Sequence, residues 1–305
     1  MDLTMTVLPV TVEVRHPRFG DLIGPEAELE CLISGFQFLE GPAWHPVEGH
    51  LTFSDIPANR LYRWNAVEGV SVFRQPSHMA NGNTYDRQGR MLTCEHATSR
   101  VTRTEPNGSV HVIASHYQGL ELNSPNDIVV KSDGCIYFTD PNFGRRPGRV
   151  GLPRPQQQPC QGVYRFDPIA QTLTRVADDF ENPNGLCFSL DERRLFVNDS
   201  PRGHIRIFDV LADGGLADGR VWADLSGDGP GVPDGMKFDS EGHLFCCGPG
   251  GIHIFDGAAV CLGVIRMPEQ TANFTWGDDD LRSLFITAST SLYRLRIRVP
   301  GRRPF

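Results

Sequence analysis

Repetition is what most limits the fold of this chain. Six segments follow one plan: a polar or small residue, an apolar pair, a charged turn, then an apolar strand. They begin near Glu40, Asn81, Asn126, Asn184, Asp234 and Asn273. Residues 84–93, 128–137 and 236–245 each place a polar, glycine-containing turn between two alternating runs, which is hairpin chemistry. A second strand pair follows in most units, as in residues 60–64, 162–166, 205–208 and 251–255, where apolar and polar residues alternate. About four strands in roughly 40–50 residues is the period of a propeller blade. The expected fold is all-β: a six-bladed β-propeller, with no sustained helical periodicity anywhere.

Residues 28–305 are expected to form a single propeller domain, and residues 1–27 an N-terminal extension over the surface, outside the blades. An open ring would leave two sheet edges exposed. The apolar run at residues 28–33 is therefore expected to join the last blade, beside residues 291–297, and close the ring. The longest irregular segment, residues 142–161, is proline-rich and falls inside the third unit. It reads as a loop over one face, where loops often cover a site.

Composition narrows the partners. The net charge is -8 and Lys and Arg are scattered without a basic stripe, which argues against nucleic acid. The eight cysteines include no C-x-x-C pair and several sit in apolar strands, so they read as small buried hydrophobes. The N-terminus lacks a basic start and a continuous apolar run, and no stretch approaches the ~20 apolar residues of a membrane helix. A cytoplasmic location, with no membrane partner, is the expectation.

Four units carry an oxygen donor at the same phase: Glu40-Gly41-Pro42, Pro125-Asn126-Asp127, Pro183-Asn184-Gly185 and Pro233-Asp234-Gly235. The first strand of every propeller blade lines the central channel, so residues that open these strands meet at its mouth. Asn and Asp beside Gly or Pro are also common turn residues. Their matching phase in separate repeats favours a shared role. Two carboxylates and two neutral amides, Glu40, Asp234, Asn126 and Asn184, make a hard-oxygen set suited to a divalent cation, calcium above all. Calcium takes six to eight oxygens, so water or substrate completes the shell. No H-E-x-x-H motif or Cys/His cluster points to zinc.

Glu95, His96, Asp140 and Asn142 end strands on the same side and are candidates, with Asn126, for contacting a substrate. His78 and Asn81 precede the second unit and are placed near the cation. Asp199 and Ser200 read as a strand-ending turn, and Asp278-Asp279-Asp280 as a solvated hairpin turn. There is no G-x-S-x-G elbow and no Walker loop.

The segments Glu40-Gly41-Pro42-Ala43-Trp44, Ser124-Pro125-Asn126-Asp127, Asn184-Gly185-Leu186 and Val232-Pro233-Asp234-Gly235-Met236 resemble the signatures of the SMP-30/gluconolactonase/LRE-like family. The likeness runs over about residues 28–297. Asn81-Gly82-Asn83-Thr84, Thr93-Cys94-Glu95-His96 and residues 123–140 resemble its bacterial gluconolactonase branch. The resemblance implies a six-bladed propeller with one catalytic divalent metal, usually calcium, at the channel mouth. It implies Glu40, Asn126, Asn184 and Asp234 as the metal residues, with Asp234 also the general base. Animal members carry a substrate-contacting Arg two residues before the position of Asn126. Here that residue is Ser124.

The function expected is a calcium-dependent lactonase, a gluconolactonase-type carboxylic ester hydrolase, opening a sugar lactone such as D-glucono-1,5-lactone to the aldonic acid. The alternatives are a ligand- or partner-binding propeller with a structural cation, and a metal-dependent esterase or phosphotriesterase on the same scaffold.

Overall fold

A computed structural model describes residues 5–303. Six antiparallel sheets of four or five strands follow one another along the described residues, with a two-stranded hairpin of His116–Tyr117 and Leu120–Glu121 between the second and the third. Their first strands are Leu39–His45, Ala80–Tyr85, Ile128–Val130, Pro183–Phe188, Met236–Phe238 and Thr271–Gly277. Each first strand packs against the first strands of its neighbours, so the six surround one central channel. This is the six-bladed β-propeller, with the alternating runs of the sequence as its strands.

Ring closure follows from pairing across the chain. Strand Glu28–Ser34 is the fourth strand of blade six, paired with Ser291–Arg296 in the register Ser34↔Ser291 and Leu29↔Leu295. Aromatic packing seals the same junction: Trp44 of blade one stacks on Phe285 of blade six, ring centroids 5.4 Å apart and 7° from parallel. Phe138 stacks on Tyr164 within blade three, and Phe196 packs against Trp222 of its own blade four and Phe238 of blade five.

The N-terminal extension differs from expectation. Thr6–Pro9 pairs with Glu28–Ser34 as a fifth strand of blade six, and Thr11–Val14 pairs with Cys261–Arg266 as a fifth strand of blade five. A sheet edge offers unpaired N–H and C=O groups, and a short alternating segment satisfies them whatever its side chains. Residues 1–4 of the extension and residues 304–305 lie outside the described residues.

The cysteines are free thiols among the described residues, with Cys94, Cys187, Cys246 and Cys247 buried in strands and Cys135 buried just before one. No described helix is long and apolar enough to cross a membrane.

Candidate active site at the channel mouth

The donors converge because the inner strands approach one another unusually closely. Glycine follows the donor in four blades, and each time a Cβ there would collide with the next blade. At Gly41 it would lie 2.0 Å from the Asn81 carbonyl oxygen, and at Gly82 2.3 Å from that of Asn126. Gly185 meets Asp234 and Gly235 meets Asn273 in the same way. The gaps are bridged by hydrogen bonds: Gly82 N–H donates to Asn126 O at 2.8 Å, and Gly235 N–H to Ala272 O at 2.9 Å. Pairing to the second strand slips at the donor in blades one, two, four and six, a bulge that re-aims the side chain.

Glu40, Asn184 and Asp234 come together. The Glu40 and Asp234 carboxyl groups are neighbours, each shifting the other, and the Asn184 amide lies near Asp234. Asn184 Nδ2 also donates to Ser200 Oγ at 3.0 Å. Asn126 is buried at the equivalent place in blade three, its N–H donating to Thr139 O at 2.8 Å. Burial pushes the Glu40 carboxyl up, and the nearby Asp127 charge adds to this. Burial pushes Asp234 well above the carboxylate range, followed by the charge of Glu40. Two buried acids side by side without a cation keep a proton. Among the described residues no three His, Cys, Asp or Glu side chains gather, so a cation here would meet two carboxylates and amide oxygens.

Two residues outside the predicted set hold Glu40. Asn273 Nδ2 donates to Glu40 Oε2 at 3.2 Å, while its Oδ1 accepts from Lys237 Nζ at 2.9 Å and from the Phe274 N–H at 2.9 Å. Lys237 sits in the alternating run Met236-Lys237-Phe238.

The substrate candidates separate. Asp140 is fully buried, and its carboxylate accepts the N–H groups of Asn123 and Ser124, both at 2.8 Å. Burial still pushes it up to about 7. Asp55 and Asp199 hold the entries to blades one and four in the same way. Ser54-Asp55, Thr139-Asp140 and Asn198-Asp199 are thus a recurring signal of framework. Glu95 is fully buried and accepts from Arg74, Arg100, Thr98 and Thr102. Both carboxylates are wholly buried and turned onto these framework donors, in contrast to the expectation that they contact a substrate. His96 is also buried, with Nδ1 2.7 Å from Val150 O and Nε2 3.2 Å from Asn81 Nδ2. Burial lowers it to about 4, so the ring is neutral, and both nitrogens are engaged. Asn142 donates from Nδ2 to Gln156 Oε1 at 3.1 Å.

The long loop crosses the mouth. It leaves blade three after Ile136–Asp140 and returns at Gln161–Asp167. Buried Arg145 anchors it, donating to the carbonyls of Asn123 at 2.7 Å, Leu122 at 2.6 Å and Pro155 at 2.6 Å, and to Glu121 at 2.6 Å. Val150 rests on His96 of blade two, and Arg149 lies over the Phe38 ring of blade one, 4.3 Å from its centroid. The opposite, hairpin-turn end of the channel holds a cavity of about 400 Å³ walled by Trp44, Tyr85, Phe188, Phe238 and Trp276.

Comparison with known proteins agrees with this architecture. Residues 38–290 match the family described as the SMP-30/Gluconolactonase/LRE-like region. A gluconolactonase from Zymomonas mobilis is 31% identical over 308 residues, 93% of this chain and 85% of that protein. Pentonolactonase XacC from Haloferax volcanii is 25% identical over 290 residues, 87% of this chain and 93% of that one. A solved gluconolactonase from Xanthomonas campestris superposes with a TM-score of 0.88 at 34% identity, covering 96% of this chain and 98% of its own. The chain belongs to the SMP-30/gluconolactonase/LRE-like family.

Proposed function

We propose that this protein hydrolyses a sugar-derived lactone such as D-glucono-1,5-lactone, using a divalent cation, calcium, held by Glu40, Asn126, Asn184 and Asp234. The observation that carries the reading is the meeting of two buried carboxyl groups, Glu40 and Asp234, beside the Asn184 amide at the channel mouth. Their mutual repulsion is what a dication relieves, and the two amides add oxygen without charge. Gluconolactonase and pentonolactonase relatives support a lactone as the substrate class.

A cation bound there supplies a Lewis acid for the lactone carbonyl oxygen. The residues of the chain do the rest. Asp234 accepts the proton of the attacking water as its oxygen adds to the carbonyl carbon. The ring C–O bond then breaks, and the same carboxyl returns the proton to the departing ring oxygen, giving the open hydroxy acid. Asn273, held by Lys237, fixes the Glu40 carboxylate from the side away from the reaction. The loop at residues 142–160 walls the mouth and limits its access to water.

Proton release from glucono-1,5-lactone tests the reading, measured after chelation, after calcium return, and in Asp234→Ala. Activity lost with chelator, restored by calcium and absent in the variant is expected. Full activity of Asp234→Ala would remove Asp234 as both base and ligand. Calcium binding without turnover of any lactone would point instead to a binding propeller.

A further inference from the structure

Every blade presents an oxygen-bearing side chain at the mouth, but the six differ in what their oxygens already hold. Glu40, Asn126, Asn184 and Asp234 are the proposed cation set. The Oδ1 of Asn273 is taken by Lys237 and Phe274. Asn81 alone remains unaccounted for. It is 4% exposed, and its Oδ1 is buried without a hydrogen-bond partner. A buried acceptor without a donor is costly and calls for an explanation.

The orientation of this amide is dictated from outside. The Val150 carbonyl accepts a hydrogen bond at 2.7 Å from His96 Nδ1, which must therefore carry the ring proton. That leaves Nε2 as a lone-pair acceptor facing Asn81 at 3.2 Å. Only the Nδ2 end of the amide satisfies it, so Oδ1 is turned away from His96. The backbone leading in is unusual as well. His78 and Met79 both adopt left-handed φ, 59° and 55°, although neither is glycine. Such geometry persists where the surroundings enforce it, commonly beside a site.

We infer that Asn81 Oδ1 accepts a hydrogen bond from a ring hydroxyl of the bound lactone, and that His96, itself held by Val150 of the mouth loop, is the positioning residue that presents it. The inference rests on the lactonase reading and deepens it. A polyhydroxylated lactone brings several donors into the mouth, while the Glu40 and Asp234 carboxylates already serve the cation and the attacking water. An acceptor held in one orientation by neutral imidazole favours a ring that brings a hydroxyl and offers nothing to an unsubstituted one.

Two six-membered lactones separate this role from others: glucono-1,5-lactone, and δ-valerolactone, which has no ring hydroxyls. In the calcium-loaded protein, Asn81→Ala is expected to lower kcat/KM for the sugar lactone by about 10-fold or more. Turnover of δ-valerolactone and calorimetric calcium affinity should hold at wild-type values. His96→Leu, which releases the amide to rotate, should give the same selective loss while the acidic pair is untouched. Equal losses on both lactones, or weaker calcium binding in Asn81→Ala, would overturn the inference alone. A wild-type protein that opens neither lactone would overturn the lactonase reading and this inference with it.

Discussion

Lys237 and Asn273 are joined through a single hydrogen bond, Nζ to Oδ1 at 2.9 Å, and that bond decides which way the Asn273 amide faces. With Oδ1 toward the ammonium, Nδ2 must face Glu40, where it donates at 3.2 Å. A positive charge deep in the channel thus orients a carboxylate without touching it. It also faces the buried Asp127, whose pKa it pulls down against the upward push of burial. Lys237→Met should cost about 1–3 kcal/mol of stability, the range for losing a hydrogen bond to a charged group. Urea denaturation of the chelated protein measures this. An unchanged midpoint would show that Lys237 holds nothing.

The paired acids set a pH dependence. Glu40 rises from an ordinary 4.5 to about 7 in the folded chain, and Asp234 rises too. An acid with a raised folded pKa binds more protons folded than unfolded, so its contribution is present below the unfolded value and is lost as pH rises through the folded one. The melting temperature of chelated protein should therefore fall between about pH 5 and pH 7. Calcium should remove the pair's share of that fall, and Glu40→Gln should lessen it without calcium, while Asp140, also raised to about 7, keeps its own share in both. A chelated protein with a flat profile across this window would refute the pairing.

Asp140 is expected to matter for stability and not for ligand binding. Removing both acceptors in Asp140→Ala leaves two buried N–H groups unpaired, at a cost of about 3 kcal/mol. Calcium affinity of the folded fraction should match wild type. A selective loss of calcium affinity at unchanged melting temperature would return Asp140 to the site.

Arg145 holds the mouth loop by spreading one guanidinium over several carbonyls and Glu121. Arg145→Met should raise the rate of proteolytic cleavage within residues 142–160 by about 10-fold or more, since loop opening sets that rate. Mass spectrometry of the early fragments locates the cut. Cleavage that begins elsewhere at an unchanged rate would show another anchor.

The blades and their donors were legible because each rests on a short-range pattern. Alternation marks the strands, Gly turns mark the hairpins, and donor-Gly pairs recur at one phase. Closure by residues 28–33 followed from the need to cover an edge. What stayed hidden depends on contacts between distant blades. Lys237 looks like any polar residue in an alternating strand until six inner strands face one another. Glu95 looks like a pocket carboxylate until Arg74 and Arg100 fold onto it. Thr6–Pro9 and Thr11–Val14 are too short to announce two sheets, and their partners lie far along the chain.

The pairing of Ser34 with Ser291 also makes assembly all-or-none in time. A strand translated early must wait for one translated near the end before its sheet is complete. Until then the first blade has no sixth blade for Trp44 to stack on, and Glu40 has no Asn273 to hold it. Non-local pairing of this kind slows folding. A nascent chain several blades long therefore carries most of the mouth's oxygen donors and no mouth, so the emerging polypeptide stays inert until its last blade arrives.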